Sequence, residues 1–166
     1  MSGISEIRWV NAWGSNDQFI KDQAKDFWRR LNVIKREEVL ARRAEQLVCM
    51  AYNSKEEVIA ISTALKSKVK LLNDNFLYQY RCLVDPNYRV PGLDVHLTLE
   101  SLKTLEETAK ADEDKPIGVF VVVESEKLHG DKIHRAAVWR AYKMYFIGYN
   151  TKDQPIRVYY FDGAKI

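Results

Sequence analysis

The run Ile117-Gly118-Val119-Phe120-Val121-Val122-Val123 carries no polar side chain. Successive side chains of a strand point to opposite faces, so an unbroken apolar run must be covered on both sides. That is the demand of a strand near the centre of a sheet with helices on its faces. Upstream, Phe76–Val84 is rich in aromatic and branched residues and reads as a second strand. Between the two, Leu99, Leu102, Leu105 and Ala109 mark the apolar stripe of a helix from about Asp94 to Ala109. Strand, helix and strand in this order predict a parallel pair joined by a right-handed crossover. The chain is thereby directed toward an α/β architecture.

The remaining elements fit around this unit. Ile4–Trp13 reads as a first strand, and Gly14-Ser15-Asn16-Asp17 supplies a break with N-cap candidates. Ile20, Ala24, Phe27 and Leu31 predict a helix from about Asp17 to Leu31. A second helix is expected from about Lys35 to Leu47, with Leu40, Ala44 and Leu47 buried and a mixed-charge outer face. Val48–Tyr52 and Val58–Leu65 form a hairpin around Asn53-Ser54-Lys55-Glu56. The polar stretch Lys66–Asn75 has no clear assignment. After Val123 come a short helix from about Asp131 to Ala141 and a closing hairpin of Met144–Tyr149 and Ile156–Phe161. One domain spanning residues 1–166 accommodates all of this, with a mixed sheet of about seven strands flanked by helices.

Composition excludes several classes. A formal charge of +3 is too small to mark a nucleic-acid face, and the arginines of the second helix share its outer face with glutamates. No apolar run is long enough to span a bilayer, and Met1–Val10 has neither a basic start nor an apolar core typical of a secretory signal. A cytoplasmic location is the expectation. Cys49 and Cys82 lie in apolar runs and read as reduced core residues. Neither they nor His129 and His134 have the spacing of a metal motif, so no metal site is expected.

The stretch Leu83-Val84-Asp85-Pro86-Asn87-Tyr88-Arg89-Val90-Pro91-Gly92-Leu93 joins the second strand to the crossover helix. A helix start offers N–H groups without intrahelical partners and a partial positive charge, and a glycine lets an anion approach closely. The stretch therefore suggests a phosphate-bearing ligand. Together with the element order, it resembles the acetyl-CoA-binding segment of the Gcn5-related N-acetyltransferase (GNAT) superfamily. There, apolar-Val-x-Pro-x-x-Arg leads into Arg/Gln-x-x-Gly-x-Gly/Ala. The likeness in element order covers nearly the whole chain, and the likeness in sequence is concentrated between about Tyr78 and Glu106.

The resemblance implies a GNAT-like fold and transfer of an acetyl group from acetyl-CoA to an amine, on a small molecule or a peptide, without an acyl-enzyme. It implies that backbone groups of Leu83 and Val84 pair with the pantetheine arm. The N–H groups from Arg89 through Asp94, including Val90, Gly92 and Leu93, would surround the pyrophosphate, with Arg89 adding charge. Asp94 stands where the family most often has Gly or Ala, and reads either as a repulsive carboxylate or as a first-turn residue facing solvent. For the amine's proton, the candidate base is Glu124, which reads equally as a solvated strand-end carboxylate; Glu126 is a weaker alternative. The family's acid is usually a tyrosine closing the last helix. Here Arg140 takes that place and Ile133 that of an expected Asn, leaving Tyr142 as the candidate acid or as a sheet-facing aromatic. These departures keep a second reading open, a non-catalytic binding or regulatory module on the same fold. Chains of this kind often dimerise, but no interface is legible in the sequence.

Overall fold

In the computed structural model, which describes residues 3–88, 90–125 and 135–166, hydrogen-bonded strands form one mixed eight-stranded sheet in the order β1-β2-β3-β4-β5-β8-β7-β6. The elements are β1 (Arg8–Asn11), α1 (Gln18–Arg30), α2 (Glu37–Ala44), β2 (Leu47–Tyr52), β3 (Val58–Val69), β4 (Asn75–Val84), α3 (Leu93–Ala109), β5 (Gly118–Val122), β6 (Val138–Trp139), β7 (Met144–Tyr149) and β8 (Pro155–Tyr160). The chain divides into two compact units, Met1–Ala64 with Arg81–Thr104, and Leu65–Tyr80 with Leu105–Ile166. The division runs through β3, β4 and α3.

In the first unit, β2 pairs antiparallel with both β1 and β3. All six residues of β2 are buried, and from Cys49 to Tyr52 they alternate between two cores. Met50 and Tyr52 join Ala24, Phe27 and Trp28 of α1 and Leu40 and Ala44 of α2. Cys49 and Ala51 turn the other way, toward Leu93 and Leu97 of α3. In β3, Ile61 and Ala60 divide in the same way opposite Met50 and Ala51, and a register irregularity beyond them sends Ile59 to the second core and Val58 to the first. This is two-sided burial, read residue by residue. Asn53 shapes the hairpin, its side-chain oxygen accepting from the N–H groups of Lys55 at 2.9 Å and Glu57 at 3.0 Å.

The helices begin and end where local chemistry dictates. The Asp17 carboxylate caps α1 by accepting from the Phe19 N–H at 2.9 Å. Asn32, in the left-handed region at φ 53°, closes it. Lys21, almost buried on α1, ends in an ion pair with Glu45 at 2.7 Å. Leu47, expected as the last buried residue of α2, instead opens β2, because the helix stops at Ala44.

In the second unit, β4 and β5 run parallel, with Tyr78 opposite Val119 and Gln79 opposite Phe120, as the crossover demands. β8 then pairs antiparallel with β5, and β7 with β8. Val69, Leu72, Leu77, Phe120, Ile156 and Val158 form the core here. The guanidinium of Arg157, a buried residue, lies 4.2 Å from the Trp139 ring centroid and donates to the Ala136 carbonyl at 2.6 Å. Its burial lowers the pKa of that guanidinium.

Further expectations need correction. The first strand is shorter than Ile4–Trp13, since Ile4–Glu6 is a 3₁₀ turn and β1 covers only Arg8–Asn11. Of the helix expected from Asp131 to Ala141, residues 131–134 lie outside the described residues; 135–137 form a turn and bend, and Val138–Trp139 is the strand β6. Leu99 is 45% exposed, because the buried face of α3 runs through Leu93, Leu97, Leu102 and Leu105. Cys82 is exposed, whereas Cys49 is buried and its thiol is pushed up to about 12 by that burial. The unassigned stretch resolves into the end of β3, a 3₁₀ turn at Lys70–Leu72, and two left-handed residues, Asn73 and Asp74.

The closest backbone approach among the described glycines tests the β5–β8 pairing. A Cβ on Gly118 would sit 2.2 Å from the Tyr159 carbonyl oxygen, so Gly118→Ala forces the two strands apart. We expect a loss of about 3 kcal/mol in urea unfolding, the upper end for inserting a methyl group into a packed region. Gly3→Ala, whose Cβ would meet only the Ser5 hydroxyl at 3.5 Å, serves as the near-neutral control.

Candidate functional site

The junction from β4 to α3 lies in the first unit and is organised around Asp85, which is fully buried. Its backbone N–H donates to the Ile59 carbonyl at 2.8 Å, extending the sheet by one bond past β4. Its side-chain Oδ1 accepts from the Asn87 N–H at 2.9 Å, and its carbonyl accepts from the Tyr88 N–H at 2.9 Å. This is an Asx turn closed within a backbone turn, with Pro86 supplying the fixed φ. The Asp85 Oδ2 is bonded by the Arg30 guanidinium from the last turn of α1, which also donates to the Val58 carbonyl at 2.8 Å.

Beyond the turn, Tyr88 is tethered by its hydroxyl, which donates to Glu57 Oε2 at 2.9 Å. The bonds from Asn53 and then Tyr88 hold the Glu57 carboxyl below the ordinary range, and the Glu57 partner raises the Tyr88 phenol. The half-buried Val90 packs with Val84 and Tyr88 on the core that holds Leu93 and Leu97. Leu83 packs partly against the core on the opposite face of the sheet. Arg89 lies outside the described residues.

Gly92 is the last residue before α3, with φ 81°, and its carbonyl accepts the His96 N–H at 2.9 Å. A left-handed φ favours glycine, and a Cβ here would also stand 3.3 Å from Ile4 Cδ1. Leu93 is buried, so the first turn of the helix is anchored while Gly92 and Asp94 stay exposed. The Val90 and Leu93 N–H groups donate inside the loop, to the Tyr88 carbonyl at 2.9 Å and the Val90 carbonyl at 3.1 Å. Pro91 has no N–H. Among the described residues no acceptor engages the N–H groups of Gly92 or Val95. The donors open to an outside anion are therefore fewer than the run Arg89–Asp94 expected from sequence, and Val95 joins them because helix geometry extends the open donors to the third helical residue.

His96 is half-buried, with its ring centroid 4.3 Å from that of Trp9. The Trp9 contact comes from a segment far away in sequence, which periodicity along α3 does not reveal. Asp85 was also missed as an organising residue; the only signal was an acidic residue directly before a strand-ending proline.

The two candidates for proton transfer belong to the second unit. Glu124 is exposed, two residues past the end of β5, and the preceding Val123 N–H donates to the Pro155 carbonyl at 2.9 Å. Tyr142 is half-buried in the turn between β6 and β7, not at a helix end. Its N–H donates to the Trp139 carbonyl at 3.2 Å, and the two rings meet edge-on at 6.3 Å. Glu126 lies outside the described residues. Among the described residues no cluster of three or more His, Cys, Asp or Glu could hold a metal ion, and no helix is long and apolar enough to cross a membrane.

Gly92→Ala separates the two demands on this glycine. We expect it to lose about 1–2 kcal/mol from the left-handed φ, plus a further loss from the Ile4 contact. Gly14→Ala, at φ 67° with nothing within 4 Å of its Cβ, gives the φ cost alone. Equal losses for the two variants in chemical unfolding would remove Ile4 from the account.

No protein-family profile and no curated protein sequence matches the chain. Solved structures do match in shape. The chain is similar to the GNAT-family acetyltransferase of Streptococcus pneumoniae, at 12% identity and a TM-score of 0.59, over 94% of this chain and 99% of that one. It is similar to the ribosomal-protein-S5-alanine acetyltransferase of Vibrio fischeri, at 9% identity and a TM-score of 0.60, over 96% and 94%. It is also similar to Arabidopsis thaliana NAA60, solved in complex with acetyl-CoA, at 14% identity and a TM-score of 0.62, over 93% and 99%. The element order, the parallel β4–β5 pair and these matches together show that the chain has the fold of the GNAT superfamily.

Proposed function

We propose that this protein is an acetyl-CoA-dependent N-acetyltransferase that transfers the acetyl group directly to an amine. The observation that carries the proposal is the β4–α3 junction, where a glycine at φ 81° opens onto the N-terminus of a long helix and the Gly92 and Val95 N–H groups meet no acceptor among the described residues. Such a terminus favours a phosphate. The donor set fits the cofactor: Gly92 and Val95 offer N–H groups to the pyrophosphate, Arg89 adds positive charge, and backbone groups of Leu83 and Val84 take the pantetheine amides. Asp94 sits in the first turn, where its charge stabilises the helix. Several structures of this fold were solved with acetyl-CoA or CoA, which supports the same ligand here.

Bound acetyl-CoA supplies an acetyl thioester. Glu124 takes the proton that the amine loses as the new C–N bond forms and the C–S bond breaks. Tyr142 donates its hydroxyl proton to the departing sulfur. The acceptor is an amine of a small molecule or a peptide; an enzyme acting on the alanine of a ribosomal protein is among the similar folds, which supports the peptide end of that range.

A second reading, a non-catalytic module that binds the cofactor without turnover, is favoured by one observation. Residues 135–143 form turn, short strand and turn where the end of a helix was expected, and Arg140 takes the place of the family's usual tyrosine. Two measurements decide between them. Calorimetric titration is expected to show acetyl-CoA binding, and no heat at high micromolar cofactor sinks both the enzyme and the cofactor-binding module. Thiol release across an amine library is then expected to show turnover that falls about 100-fold or more in Glu124→Gln, with a further pH-dependent loss in Tyr142→Phe. Binding without any turnover leaves the module.

A further inference from the structure

We infer that the Arg30–Asp85 pair is the positioning device of the phosphate loop, coupling the last turn of α1 to the β4–α3 junction. The inference rests on the cofactor reading above and goes beyond it, since neither residue is assigned contact with the ligand. Asp85 uses every polar group it has on local structure. Its N–H holds the Ile59 carbonyl, its carbonyl takes the Tyr88 N–H, Oδ1 takes the Asn87 N–H, and Oδ2 takes Arg30. The side chain is 0% exposed, whereas that of Arg30 is 47% exposed. Buried carboxylates are retained only when paired and hydrogen-bonded.

Two consequences follow for a nearby anion. The Asx turn fixes the chain direction through Asn87 and Tyr88, and Tyr88 packs beside Val90 on the core that anchors Leu93. Loss of the Oδ1 acceptor would free two residues at the head of the loop that ends in Gly92. The charge matters separately. An uncompensated carboxylate a few residues before the phosphate donors would repel the ligand, and the Arg30 guanidinium cancels it. Because Arg30 also holds the Val58 carbonyl at 2.8 Å, the clamp spans α1, β3 and the loop at once. Geometry and charge therefore have distinct signatures: Asn at position 85 keeps an acceptor for Asn87 without the charge, and Ala keeps neither.

The test compares CoA with pantetheine, which lacks the phosphates, on the full chain by NMR titration. The wild type is expected to bind CoA more tightly. The CoA-over-pantetheine advantage should fall about tenfold or more in Asp85→Ala, with faster amide exchange at Asn87 and Tyr88, and should largely survive in Asp85→Asn. Arg30→Gln should lose most of the advantage, and Asp85→Asn in that background should restore part of it. If Asp85→Ala does not fold, the Arg30→Gln and double-variant comparison carries the same decision. An unchanged advantage in folded Asp85→Ala or in Arg30→Gln overturns the positioning role while leaving the cofactor reading intact. A wild type that binds neither ligand overturns both, through the cofactor reading.

Discussion

Two-sided burial of β2 and β3 is the constraint on which the first unit depends. Alternate residues of one strand serve two different cores, so the helices on the two faces cannot shift independently. Met50, Tyr52 and Ile61 hold α1 and α2, while Cys49, Ala51 and Ile59 hold the start of α3. Burying the larger aliphatic side chains among them, Met50, Ile59 and Ile61, contributes roughly 1.5–3 kcal/mol each. That is enough to fix the direction in which α3 leaves the sheet, and with it the direction of its open N–H groups. The candidate site is thus a by-product of core packing: the helix start points outward because Leu93 and Leu97 must point inward.

The fold was legible where the chain's own periodicity carried it. The apolar run ending at Val123, the aromatic strand before Asp85 and the Pro-Gly punctuation around Gly92 each required a particular local structure. Together they required a parallel crossover. What stayed hidden depends on partners distant in sequence. β3 continues through the polar residues Lys66–Lys68 because both lysines lie over the Phe76 ring, at 5.7 and 5.2 Å, and Lys66 pairs with Asp112 at 2.8 Å. No window of local residues contains those contacts. Likewise Ala136–Trp139 looks helical by composition, yet Val138 pairs with Tyr145 and Trp139 stacks on Arg157. Tertiary pairing overrode a weak local preference.

The candidate site divides along the same line. Gly92 was identifiable because its chemistry is intrinsic to the residue, and the structure gives it the left-handed φ that glycine serves. Arg30 and Asp85, 55 positions apart, were not, since neither has a local pattern that announces the other. Glu124 was placed by the end of a strand, and it does follow β5 closely. Tyr142 was placed by a helix that does not form over the described residues, so its case rests on its chemistry alone.

The two aspartates flanking the loop show how electrostatics can admit an anion beside carboxylates. Asp85 is buried, and its charge is cancelled by a guanidinium at hydrogen-bond distance, so little of its field escapes. Asp94 is exposed in the first turn of α3, where water screens it and the helix dipole already favours negative charge. In the proposed complex, hydrogen bonds from Gly92 and Val95 act at short range against a charge screened by water, and salt weakens the repulsion more than it weakens the hydrogen bonds. On the proposed reading, a pyrophosphate at this loop requires that Asp85 stay neutralised, and Arg30, far from the loop in sequence, would then be part of what the loop can bind.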